Sequence, residues 1–140
     1  MNDKKICFIM CVNNEMYEEE CLYYINHLVI PNGYEIDVIS IKEAKSMTEG
    51  YNAAMVATDA KYKIYMHQDV FLVKSDFIQD MLDVFSNPEV GMIGMVGAEE
   101  LSKDGCMWNG DRVGKIYSSN IVKTQLFVAS DKQNKPYTEV

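Results

Sequence analysis

Apolar and polar positions follow a repeating order of strand and helix, with a new strand about every thirty residues. The first run, Lys5–Val12, is almost continuously apolar, which is typical of a strand buried on both faces of a sheet. The predicted strands are Lys5–Val12, Tyr34–Ile41, Tyr62–Met66 and Val90–Val96. Helical spacing of apolar residues predicts helices between them, over residues 16–29, 46–58 and 75–87. This order predicts a three-layer α/β/α fold with a mainly parallel central sheet.

Local signals mark the ends of several of these elements. Ser46 and Glu49 form a capping-box pattern at the start of the second helix, and Pro31-Asn32-Gly33 is typical of a turn. After Gly97 the chain becomes rich in glycine and polar residues, which indicates a long loop. Two further strands are predicted there, at Lys115–Tyr117 and Lys123–Val128.

Composition and charge narrow the classes of function. The chain has 140 residues, 48% of them hydrophobic, which is enough for one domain with a core. Its net charge is −8 without any block of Lys and Arg, which argues against nucleic-acid binding and electrostatic membrane docking. The apolar runs are too short to cross a bilayer, and the N-terminus lacks the pattern of a secretory signal. We therefore expect a cytoplasmic protein.

The cysteines suggest no disulfide or zinc framework. They are Cys7, Cys11, Cys21 and Cys106, and none of them forms a C-x-x-C pair. We interpret them as buried, reduced thiols that act as small apolar groups.

The segment His67-Gln68-Asp69 follows the strand Tyr62–Met66 and carries the strongest chemical signal in the sequence. A carboxylate just past the carboxyl end of a buried strand lies where open α/β sheets bind ligands. His67 and Asp69 are therefore candidate ligands of a divalent cation, and the imidazole favours Mn²⁺ over Mg²⁺. The alternative is a polar turn in which a carbonyl group satisfies His67.

Two other strand or helix ends carry polar residues suited to a ligand. The segment Val12-Asn13-Asn14-Glu15 ends the first strand and could contact a nucleoside, but taken alone the pattern favours Asn13-Asn14 as a cap of the next helix. Asn52 lies in a helix of small residues and could reach a diphosphate or a backbone carbonyl. Gly50 before it indicates a close approach by another group. The glycine-rich dinucleotide and P-loop motifs are absent from the sequence.

Taken in order, these segments resemble the nucleotide-binding half of family 2 glycosyltransferases of the GT-A fold. The chain is most similar to the streptomycin-biosynthesis-type branch of glycosyltransferase-like proteins. The matching segments are 6–15 with its Val12-Asn13-Asn14-Glu15 end, Gly50-Tyr51-Asn52-Ala53-Ala54, Ile64–Val70, Val90-Gly91-Met92-Ile93-Gly94, and Trp108 with Gly114-Lys115-Ile116. The resemblance covers nearly the whole chain and implies a single GT-A-like domain over 1–140. Residues 1–98 would form its nucleotide-binding half, and 99–140 a loop and the start of the acceptor half.

The resemblance also implies a nucleotide-sugar donor, often UDP-linked, an acceptor that the sequence does not identify, and Mn²⁺ or Mg²⁺. Asp69 matches the last residue of the family's Asp-x-Asp metal signature, and His67 stands in place of its first Asp. The implied nucleotide-sugar contacts are Val12, Asn13, Asn14, Glu15, Asn52, His67 and Gln68. A homo-oligomer is left open.

Two departures from the family pattern bear on activity. The acidic residue that reads uracil after the second strand is replaced by Ser40-Ile41-Lys42, with Glu43 nearby. The family's catalytic base lies well downstream of the metal motif, whereas this chain ends at Val140, about where that half should begin. We expect an N-terminal or truncated portion, with a non-catalytic nucleotide-sugar binding module or an inactive fragment as the alternative to a transferase. A third interpretation is an unrelated α/β interaction domain.

Overall fold

The computed structural model of the chain describes residues 1–106, 109–110, 112–120 and 123–128. Its strands are β1 (Asn2–Val12), β2 (Glu35–Lys42), β3 (Ala60–His67), β4 (Val96–Ala98), β5 (Arg112–Asn120) and β6 (Lys123–Val128). Its helices are α1 (Glu15–Asn26), α2 (Met47–Ala57) and α3 (Phe77–Val84). Within the described residues, no helix combines the length and hydropathy that a bilayer-crossing segment requires. The chain divides into two compact units, Met1–Asp83 and Val84–Val140, each described by itself.

The first unit is built on a parallel sheet with the strand order β2-β1-β3. β1 is central because the chain runs through α1 to β2 on one side, and then through α2 to β3 on the other. The predicted strands Lys5–Val12, Tyr34–Ile41 and Tyr62–Met66 overlap these three strands. The predicted α/β class, with a parallel sheet and helices, is thus confirmed.

The core of this unit lies on both faces of β1. The strand residues without exposed surface are Ile6, Cys7, Phe8, Ile9 and Met10. On one face, Cys7 and Ile9 pack with Ala54 of α2. Cys21 and Ile25 of α1 are likewise fully buried. Burying each large apolar side chain stabilises the fold by about 1.5–3 kcal/mol, so β1 is the strand on which this unit is assembled.

The helix and turn signals of this unit are confirmed at particular hydrogen bonds. The Ser46 hydroxyl accepts a hydrogen bond from the Glu49 backbone N–H at 3.1 Å, which is the capping interaction predicted at the start of α2. The turn before β2 closes with a hydrogen bond from the Tyr34 N–H to the Pro31 carbonyl at 3.0 Å. Gly33 lies in this turn at a φ of 81°, a conformation that glycine adopts without strain.

The second unit contains an antiparallel sheet in the order β4-β5-β6. The prediction of a strand over Val90–Val96 is wrong for most of that run, because only Val96 belongs to a strand. Val96 pairs antiparallel with Gly114 instead of extending the parallel sheet. Gly91 and Gly94 interrupt the apolar run and offer no side chain to pack on a neighbouring strand, which weakens it as a buried strand.

The pairing of β4 with β5 depends on a glycine. Gly114 has a φ of 103°, and a Cβ at this position would lie 2.2 Å from the Met95 carbonyl oxygen. The absence of a side chain therefore lets the two strands approach. The predicted strand Lys115–Tyr117 lies inside β5, and Lys123–Val128 coincides with β6. Trp108 and the polar end of the chain after residue 128 lie outside the described residues.

Candidate functional site

The carboxyl ends of the three parallel strands meet at one edge of the first unit's sheet. Cys11 pairs with His67 across β1 and β3, and Val12 pairs with Lys42 across β1 and β2. The loop segments that follow the strands therefore start at nearly the same level. Ligands of open α/β sheets bind outside this edge, and the strand-end segments singled out from the sequence start here.

Gln68 joins the segment after β3 to the segment after β1. Its Oε1 accepts hydrogen bonds from the backbone N–H groups of Asn13 at 2.9 Å and of Asn14 at 3.0 Å. Its Nε2 donates to Oδ1 of Asn13. The side-chain amide thus bridges residues more than fifty positions apart in the chain, and Gln68 is the residue that holds the two loops together.

Asn14 caps α1. Its Oδ1 accepts hydrogen bonds from the N–H groups of Met16 at 3.0 Å and Tyr17 at 3.4 Å. The sequence left open whether this residue caps the helix or contacts a nucleoside, and the structure confirms the cap. The side chain of Val12 is buried, which leaves its backbone as the part that a ligand could contact.

Asp69 is exposed in a tight turn just past β3. The turn closes with a hydrogen bond from the Val70 N–H to the His67 carbonyl at 3.2 Å. The Val70 carbonyl in turn accepts a hydrogen bond from the Cys21 thiol of α1 at 3.4 Å. No hydrogen bond or ion pair joins the Asp69 carboxylate to another described side chain. The carboxylate is therefore held by its backbone and left available to a ligand.

His67 and Asp69 leave the strand end toward different surroundings. His67 pairs with Cys11, whose side chain lies on the α2 face, and its own ring is exposed. Asp69 lies close enough to Cys21 of α1 to contribute to the raised pKa of that thiol, about 11, which burial raises most. Among the residues that the structure describes, no group of three or more His, Cys, Asp or Glu side chains converges as a metal site.

Lys42 supplies a cation at this edge that the sequence analysis did not assign to the site. Its ammonium lies 3.4 Å from a carboxylate oxygen of Glu18 and 3.5 Å from one of Glu15, both on α1. The Glu18 side chain is 12% exposed and that of Glu15 is 83% exposed. The pKa of Lys42 is raised, first by Glu18 and then by Glu15. No local sequence signal predicts this contact, because Lys42 and Glu15 are 27 residues apart and meet through the β1–β2 register.

The backbone turns sharply after Lys42. Glu43 has a φ of 57°, and it is the non-glycine residue with a left-handed backbone among those described. Such a conformation costs about 1–2 kcal/mol for a residue with a Cβ. It carries the chain from the end of β2 toward α2, and the acidic side chain of Glu43 is exposed at this edge.

The start of α2 lies very close to the ends of β1 and β2. A Cβ on Gly50 would lie 2.7 Å from the Cys11 sulfur, so the close approach indicated by this glycine is made by a half-buried side chain of β1. The Tyr51 hydroxyl donates to the Met66 carbonyl at 3.0 Å, and burial raises the pKa of Tyr51. Asn52 is exposed, about 200° around the helix from Gly50. The structure therefore does not bring Asn52 to the Gln68 bridge.

Comparison with known proteins identifies the family of the chain. The model of a family described as glycosyltransferase-like matches residues 7–140, which include the second half of β1 and the segments after β1 and β3. Neither the curated proteins nor the solved structures include a match.

Proposed function

Because the chain belongs to the glycosyltransferase-like family, we propose that it binds a nucleotide-diphosphate sugar and transfers the sugar to an acceptor with a divalent cation. The observation that carries this proposal is the exposed Asp69 carboxylate at the carboxyl end of β3, beside the segment after β1. UDP is the first nucleotide to test, since the resemblance to the streptomycin-biosynthesis-type branch implies it.

The chemistry of the residues at the edge fits a cation held mainly by the donor. Diphosphate oxygens and water supply most of the ligands of Mg²⁺ or Mn²⁺ in such sites, so one or two protein carboxylates suffice. Asp69 is our proposed protein ligand. His67 is the proposed diphosphate contact, because it leaves the strand end on a different side from Asp69. When bound, the cation would neutralise charge on the leaving diphosphate as the glycosidic bond breaks.

The neighbouring residues of the chain would bind and orient the donor. Val12, Asn13 and Glu15 lie at the carboxyl end of β1, where we propose that the nucleoside binds. In an acidic protein of net charge −8, a local cation is needed to offset the repulsion of a diphosphate. The bound cation would take that role, because Glu15 and Glu18 already pair with the Lys42 ammonium.

The proposal is tested by calorimetry of UDP binding with and without Mn²⁺. We expect Mn²⁺ to strengthen UDP binding to the wild type. Asp69→Asn should weaken binding in Mn²⁺ by about tenfold to a hundredfold, since a charge-assisted contact contributes about 1.5–3 kcal/mol. The matched control is Asp3→Asn, which removes one exposed carboxylate at the opposite end of β1 and should leave binding unchanged.

Two results would count against the proposal. One is a wild-type protein that does not bind UDP in Mn²⁺, and the other is equal UDP binding by the wild type and Asp69→Asn. Release of UDP from a UDP-sugar then separates the two readings within the family. Turnover that depends on Asp69 supports a transferase, whereas binding without turnover supports a nucleotide-sugar binding module.

A further inference from the structure

We infer that Gln68 is a positioning residue, which couples the loop after β1 to Asp69 so that nucleotide and metal bind cooperatively. This inference rests on the proposed function and changes the role of Gln68. The sequence resemblance made it a contact of the nucleotide sugar, whereas its side-chain amide is committed to the protein.

The geometry of the amide is specific. The Gln68 Oε1 accepts hydrogen bonds from the backbone N–H groups of Asn13 at 2.9 Å and Asn14 at 3.0 Å, and the Gln68 NH₂ group donates to Oδ1 of Asn13. The reverse orientation would direct the Gln68 NH₂ group at two donors, so the network determines which atom is oxygen. Three hydrogen bonds to one loop fix that loop against β3 more firmly than any single contact.

Asp69 is anchored on both sides of its position in the chain. Gln68 before it is tied to the segment after β1, and the Val70 carbonyl after it is tied to Cys21 of α1. Phe71 continues the attachment, since its ring stacks on Tyr24 of α1 at 5.4 Å between centroids. The segment that carries Asp69 is thus tied both to the loop after β1 and to α1, which follows directly from that loop.

Such a connection has a thermodynamic consequence. If the loop and the carboxylate are held at a fixed spacing, a bound metal ion presents the diphosphate at the distance that the loop requires. Coupling of this kind between two ligands is reciprocal and commonly five- to 150-fold in affinity. Without the bridge, the nucleotide and the metal ion would each still bind, but binding of one would raise the affinity for the other by a smaller factor.

The experiment compares the wild type with Gln68→Ala and measures how much Mn²⁺ strengthens UDP binding. We expect the strengthening to fall about tenfold in Gln68→Ala. The control is Gln79→Ala, which removes an exposed glutamine of α3 whose Nε2 donates to Asp83 at 2.7 Å. This control should retain the full effect of Mn²⁺. All proteins are compared at a temperature at which each is fully folded.

A second readout does not depend on any nucleotide. Amide hydrogen exchange followed by NMR should show protected N–H groups at Asn13 and Asn14 in the wild type and at least about tenfold faster exchange in Gln68→Ala. Gln68→Glu keeps an acceptor for both groups, and the Asn13 side chain can turn its NH₂ toward the carboxylate. This variant should restore most of the protection.

The two experiments together test the bridge, the positioning role of Gln68 and the proposed function separately. Unchanged exchange at Asn13 and Asn14 in Gln68→Ala overturns the bridge. Faster exchange with an unchanged effect of Mn²⁺, or with tighter UDP binding, overturns the positioning role. A wild-type protein that does not bind UDP overturns the proposed function and the cooperative role together, while the exchange data still show whether the bridge exists.

Discussion

Replacement of Gly50 by alanine tests how closely α2 packs on the ends of β1 and β2. Gly50 is buried near the start of α2, and a Cβ there would lie 2.7 Å from the Cys11 sulfur and 3.2 Å from the Ala44 Cβ. Carbon atoms in contact prefer about 3.5–4.0 Å, so the new methyl group would overlap both neighbours. Either Cys11 must change its rotamer or the helix must move outward.

Two effects of opposite sign determine the stability of Gly50→Ala. Alanine favours a helix over glycine by about 1 kcal/mol, whereas overpacking a close-packed site costs about 1–3 kcal/mol. We expect the overlap to exceed the gain, with a net loss of about 1 kcal/mol in the free energy of unfolding. Cys11→Ala removes the sulfur, so in that background Gly50→Ala should be neutral or stabilising by up to about 1 kcal/mol.

Urea unfolding followed by far-ultraviolet circular dichroism of the wild type, both single variants and the double variant measures the coupling. We expect an interaction energy of about 1–2 kcal/mol between the two positions, which is typical of residues in contact. The reasoning would be refuted by a Gly50→Ala variant that is more stable than the wild type. An equal loss with and without the sulfur would also refute it, because the overlap with Cys11 would then not be the cause.

Two smaller predictions concern α1. Asn14→Ala should lower the free energy of unfolding by about 1 kcal/mol, because the N–H groups of Met16 and Tyr17 lose their acceptor. Asn14→Asp keeps an acceptor and should be as stable as the wild type in urea unfolding. Equal losses of stability in both variants would contradict a capping role. The pKa of the Cys21 thiol is about 11 in the fold and 9.0 for a free thiol, so the unfolded chain binds fewer protons between these values. Stability that is present below about pH 9 should therefore be lost as the pH rises toward 11. In urea unfolding over this pH range, the free energy of unfolding of Cys21→Ala should fall less steeply than that of the wild type. An identical dependence on pH in both proteins would contradict this prediction.

The fold class and the parallel sheet could be predicted because their signals are local. The apolar run of β1, the cap at Ser46 and the turn at Pro31–Gly33 each depend on neighbouring residues in the chain, and each is confirmed. The prediction of a strand over Val90–Val96 was wrong because it also depended on a local signal alone. An apolar run does not reveal which strand it will pair with, and here Val96 pairs antiparallel with Gly114.

The contacts that arrange the candidate site could not be predicted, because they join distant segments in a particular register. The pairing of Cys11 with His67 places Gln68 level with Val12, within reach of the N–H groups of Asn13 and Asn14 just beyond it. The pairing of Val12 with Lys42 brings the ammonium near Glu18. A shift of either strand by one residue would break these contacts, since side chains alternate between faces. The sequence identified the edge of the sheet, while the roles of Gln68 and Lys42 required the structure.

The position of Asp69 follows from what its two neighbours do. His67 ends β3, and the side chain of Gln68, just past the strand, is occupied by the loop after β1. The turn closes between His67 and Val70, so Asp69 is left at its exposed corner. A carboxylate in that position can bind a cation without first breaking an internal ion pair. Breaking such a pair would lower the affinity of the carboxylate for the cation. In the proposed site a diphosphate would complete the coordination of the cation, so one available carboxylate would suffice.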